Sequence, residues 1–111
     1  MPDHTIRGNL VDAINEMTKL LEVCEDANQC FEIRIKIREL FQRLDRVIVA
    51  SLDSTTPEFN EAIKALRSLT KAAAGAKLKL DKVTDVLNKA ATAIGKVEKL
   101  VKNVTGVLAV L

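Results

Sequence analysis

The sequence predicts an all-α, up-down four-helix bundle, and three observations carry that prediction. Apolar residues recur at steps of three and four along almost the whole chain, which is the spacing of a stripe on a helix. The stretch from Asp53 to Pro57 supplies one sharp piece of helix punctuation. The composition of the 111 residues, 48% apolar and 29% charged, is enough for the core of one domain, so residues 1–111 are read as a single bundle.

The first helix is expected over about residues 5–25, where Ile6, Leu10, Ile14, Met17, Leu21 and Cys24 form one stripe. Glu25-Asp26-Ala27-Asn28 then offers turn chemistry, with Asn28 as the expected N-cap of a second helix over 29–53. Its stripe is Cys30, Ile33, Ile37, Leu40, Leu44 and Val47. Phe31, Ile33, Ile35 and Ile37 also alternate with polar residues, which is strand periodicity. Helix is the reading adopted, because the three-four pattern continues for two further turns among good helix formers. Phe31, Ile35 and Val49 then fall opposite the main stripe. They are either covered by a second neighbour within the bundle or form a protein interface.

Thr56 as N-cap, Pro57 at the first helical position, and Glu58 and Glu61 near the positive end of the dipole start the third helix, expected over 57–75. From Phe59 an apolar heptad seam runs through Leu66, Leu69, Ala73, Ala76, Val83, Ala90, Val97 and Val101 to Leu108. Unbroken, it would make one helix of about 75 Å. A monomer calls instead for a hairpin that breaks near Gly75, with a fourth helix over 79–108, whereas a merged coiled-coil helix would demand an oligomer.

Charge is distributed unevenly. Residues 1–28 carry two basic and six acidic side chains, and residues 54–111 carry ten and five, so an acidic first helix is expected against a basic last one. The residues that do chemistry are scarce, and no enzyme activity, cofactor or metal is implied. His4 has no ligand cluster around it, and Cys24 and Cys30, six apart, match no metal motif; they read as two buried thiols or as a redox clip at the corner between helices 1 and 2. Lys64, Arg67 and Lys71 lack aromatic stacking partners, so no nucleic acid is expected. Two cysteines are too few for a secreted disulfide scaffold, no signal-like segment opens the chain, and the tail VTGVLAVL is too short to span a bilayer. The expected location is the cytoplasm, with recruitment to membranes.

The last third is a basic amphipathic segment. Lys82, Lys89, Lys96, Lys99 and Lys102 line polar faces, apolar residues line the other, and Val107 and Leu108 close an uncharged end. Such a helix can bind an anionic membrane through lysines and an inserted apolar face, or can be the last helix of a bundle with a solvated lysine face.

The segment CFEIRIKIRELFQRL, with Cys30, Ile33, Lys36, Ile37, Leu40 and Leu44, resembles the second helix of mixed-lineage-kinase-domain-like and HeLo-type cell-death bundles. FNEAIKALRSLTKAA and DKVTDVLNKAATAIGKVEKL are similar to the third and fourth helices of that family. The resemblance implies a four-helix bundle that self-assembles and permeabilises membranes. The short connection between helices 3 and 4 and the apolar extension past Lys102 depart from the family pattern. Two functions are therefore expected in competition: a self-assembling module acting at anionic membranes, with itself and the membrane surface as partners, and an adaptor or oligomerisation module that binds a protein through helix faces.

Overall fold

The computed structural model describes residues 5–49 and 56–110, with side chains described through 47 in the first stretch and 102 in the second. Thr5 starts the first helix, α1 (Ile6–Val23), where its Oγ1 accepts a hydrogen bond from Gly8 N at 2.8 Å. Ile6, Leu10, Ile14 and Met17 of the predicted stripe are buried, and Ala13 and Leu20 join them because a core-facing helix buries a stripe wider than one residue. Asn9 is the one buried polar side chain of α1, and its Nδ2 donates to Thr5 O at 2.8 Å, so the amide enters the core bonded.

α2 (Ala27–Val49) starts before the expected cap. The capping oxygen belongs to Asp26, whose Oδ1 accepts from Gln29 N at 2.9 Å, and Asn28 lies inside the first turn. Strand periodicity gives way to helix through 31–37, with Ile33, Leu40 and Val47 buried and Cys30, Ile37 and Leu44 half-buried. The expected end at residue 53 lies outside the described residues.

α3 (Pro57–Ala76) opens as predicted, with Thr56 Oγ1 accepting from Phe59 N at 3.2 Å and Pro57 in the first turn. It runs through Gly75, which is right-handed like the other described glycines, so the break does not use the left-handed freedom of that residue. The chain turns at Lys77 and Leu78, where Leu78 N and Lys79 N donate to Gly75 O and Ala76 O at 3.1 Å. A short 3-10 turn (Leu80–Lys82) then feeds α4 (Val83–Val110). Helices 3 and 4 thus form a hairpin. The long axis of the molecule, 49 Å, is also too short for the merged helix.

Four helices and no strand among the described residues make an all-α four-helix bundle. α1 packs on α2 and α3, and α4 packs on α2 and α3, so the ring order is α1-α2-α4-α3, with α1 opposite α4 and α2 opposite α3. Chain direction alternates. Glu61 near the start of α3 meets Lys96 well along α4, and Glu16 meets Lys77 where α3 ends, so α3 runs antiparallel to α4 and parallel to α1. This order corrects the expectation that the acidic first helix packs against the basic last one. The core is continuous, drawing Leu66 and Leu69 from α3 and Val83, Val86, Val97, Leu100 and Val101 from α4.

Candidate interaction surfaces

The outward face of α2 carries Phe31, 61% exposed, and Phe41, 48% exposed. Together they are two of the three aromatic residues in the chain. Arg34 and Arg38 lie between them at i+3 and i+7, both exposed, and neither has an ion pair among the described residues. The rings are about 15 Å apart along the helix axis. Ile35 sits half-buried at the edge of this stripe. The neighbouring helices therefore leave Phe31 uncovered, and the side chain of Val49 lies outside the described residues. Sequence reading missed Phe41, although the spacing Phe31, Arg34, Arg38, Phe41 is itself a helical stripe.

Two other arginines of α2 are engaged. Arg46 Nη1 donates to Glu98 Oε1 and Oε2 at 2.8 and 2.7 Å, and Arg43 Nε lies 2.8 Å from Oε2 without the alignment of a hydrogen bond. The Arg46 hydrogen bonds hold the Glu98 carboxyl below the usual carboxylate range, against the opposing effect of burial. Glu16 is likewise held low, chiefly by Lys77 Nζ at 3.1 Å and further by Lys19 at 3.3 Å.

The predicted membrane-facing residues separate into two groups. Lys82, Lys99 and Lys102 are exposed. Lys89 and Lys96 are half-buried, Lys89 lying 3.9 Å from Asp85 and Lys96 Nζ 3.2 Å from Glu61 Oε2. The apolar side of α4 assigned to membrane insertion is occupied: Val83, Ile94, Val97 and Val101 are buried in the core. The backbone is helical at Val107 and Leu108, and their side chains lie outside the described residues. Among the described residues no helix is long and apolar enough to cross a membrane.

Chemistry-bearing groups are sparse. Cys24 and Cys30 are half-buried free thiols facing each other across the α1-α2 corner. Burial, and then the neighbouring Cys30 thiol, push the Cys24 thiol up to about 11 against the opposing effect of the Asp26 backbone, to whose carbonyl oxygen Cys24 Sγ donates at 3.6 Å, so it is protonated and weakly nucleophilic at neutral pH. A groove of about 330 Å³ between α1 and α3 is lined by Asp12, Glu16, Arg67 and Lys71, opposed charges that select no ligand charge. No group of three His, Cys, Asp or Glu among the described residues could hold a metal ion, and His4 lies outside them. No protein family, curated protein or solved structure matches the chain.

Proposed function

We propose that the protein is a non-catalytic, cytoplasmic adaptor module that binds a partner protein through the outer face of α2. The observation that carries this reading is the exposure of Phe31 and Phe41 on one stripe, flanking Arg34 and Arg38. Exposed aromatic rings beside arginine are the residue types that anchor protein interfaces. Two arginines that have no ion pair among the described residues, set between apolar anchors, fit an acidic amphipathic helix, whose carboxylates meet the guanidinium groups while its apolar stripe covers the rings. Placing a photo-crosslinking residue at Gln42, in cells that make the protein, tests it. The expected result is a discrete crosslinked partner, absent when the crosslinker is at Lys64 and lost with F31D plus F41D. Crosslinking that is equal at both positions, or that survives those substitutions, overturns it.

A second reading is membrane action of the cell-death type, supported by exposed Lys82, Lys99 and Lys102 and by the resemblance of α2 to α4 to HeLo-type bundles. In this reading α4 leaves the bundle to release Val83, Ile94, Val97 and Val101. Dye release from anionic vesicles, rising steeply with protein concentration, absent with neutral vesicles and abolished by K82E/K89E/K96E, is the expected signature. No release by folded protein removes this reading.

A further inference from the structure

The end of the bundle that carries the α1-α2 corner and the α3-α4 turn has unusual surface chemistry. Because α1 and α3 run parallel, both corners emerge at this one end, on opposite sides of the four-helix ring. The α1-α2 side exposes Glu22, Glu25 and Asp26. The α3-α4 side exposes Lys79 and Lys82 with two acids, Asp81 and Asp85, of which Asp85 lies 3.9 Å from Lys89, and Lys77 beside them is taken by Glu16. Among the described residues Glu22, Glu25, Lys79 and Lys82 have no ion pair. Each side also presents an apolar residue to water: Val23 is 44% exposed and Leu78 is 89% exposed. One end is thus divided into an acidic half with Val23 and a basic half with Leu78.

A surface of this kind is self-complementary. A two-fold axis along the line between the halves turns the basic half of one copy onto the acidic half of another, twice over, and closes the contact. We infer that the chain dimerises end to end through this surface, with Leu78 of one copy packing against Val23 of the other and Lys79 and Lys82 facing Glu22 and Glu25. An anionic membrane fits the surface less well, since half of it is acidic. The outer face of α2 is a poorer site for a second copy. An antiparallel pairing there that stacks Phe31 on Phe41 also sets Arg34 against Arg38, so like charges meet.

The size of the surface sets the strength. The two shorter dimensions of the molecule, 28 and 18 Å, allow about 500 Å² per copy. That is at the low end for specific interfaces, so the dimer is a weak, transient one, and its exposed charge pairs make it weaken further as salt rises. It goes beyond the adaptor reading: a dimer leaves both α2 faces free and offers a partner two sites at once.

Sedimentation velocity of the full chain over rising concentration tests the inference. The wild type is expected to pass from monomer to dimer, and L78D, at a site too exposed to disturb folding, to weaken dimerisation about tenfold or more. K79E/K82E and E22K/E25K should each be monomeric, because each removes the charge opposition between the halves and sets like charges at positions 22 and 25 of one copy against 79 and 82 of the other. Mixing those two variants should restore a one-to-one dimer, and the chain carrying all four substitutions should dimerise again. A wild type that stays monomeric at every concentration overturns the proposal, as does a dimer indifferent to these changes or a mixture that fails to associate. F31D plus F41D leaves this dimer intact while removing the α2 crosslink, so the two readings fail separately.

Discussion

Glu98 of α4 holds Arg46 of α2 through both carboxylate oxygens, at 2.8 and 2.7 Å, across 52 positions of sequence. With Arg43 beside the same carboxylate, it fixes α2 against α4 at the edge of the bundle, where α2 contributes fewer fully buried side chains than the other helices. Because these groups are partly exposed, solvent screens the pair and its net worth is modest. A double-mutant cycle with Glu98→Gln and Arg46→Gln, read by urea denaturation, should give a coupling of about 0.5–1 kcal/mol. A coupling near zero would mean that Arg46 adds nothing to the placement of α2 beyond its apolar face and Arg43.

Acid should weaken the fold in a defined window. Glu16 and Glu98 both have folded-state pKa values below their ordinary 4.5, set by Lys77 and Arg46 respectively. The stability they add is therefore fully present above about pH 4.5 and is lost as the pH falls through their lowered folded-state values. The urea midpoint should drop across that range. In Glu16→Gln plus Glu98→Gln the drop should be shallower, and equal slopes would show that other carboxylates govern acid unfolding.

Leu66 lies on the apolar seam and Leu78 lies off it at the α3-α4 turn, and they should respond very differently. Leu66 is fully buried, so Leu66→Ala leaves a cavity and should cost about 2–5 kcal/mol. Leu78→Ala, measured where the chain is monomeric, should change stability by less than about 0.5 kcal/mol. Thermal or urea unfolding distinguishes them, and similar costs would contradict the exposure of Leu78.

Gly95 sits within α4, exposed, with nothing within 4 Å of where a Cβ would stand. Gly95→Ala should stabilise the protein by about 0.5–1 kcal/mol, by lowering the entropy of the unfolded chain and raising helix propensity. If instead α4 must loosen to act at membranes, the same substitution should slow dye release. A destabilised Gly95→Ala would show a neighbour that this geometry does not contain.

The sequence by itself determined the helices and their inner faces. Three-four periodicity located Ile6, Leu10, Ile33, Leu40, Leu66 and Val97 in the core, and Thr56-Pro57 marked the start of α3, because these signals are local: a helix repeats every 3.6 residues and its first turn has orphan N–H groups to cap. Its weaker inferences were those that local spacing leaves open. Asp26 rather than Asn28 caps α2, since several polar residues in a row can each supply the oxygen. Phe31 could have been covered or uncovered, because an apolar residue opposite the main stripe carries no record of its neighbour. The ring order, which puts α1 beside α3 and opposite α4, was decided only by the tertiary structure. An apolar stripe does not record which helix covers it, so the order is visible only in contacts such as Glu16–Lys77 and Glu98–Arg46 that join residues far apart in sequence. The alternating chain direction gathers Leu78, Val23 and their opposed charges at one end, and packing on α2 and α3 commits the apolar face of α4 to the core.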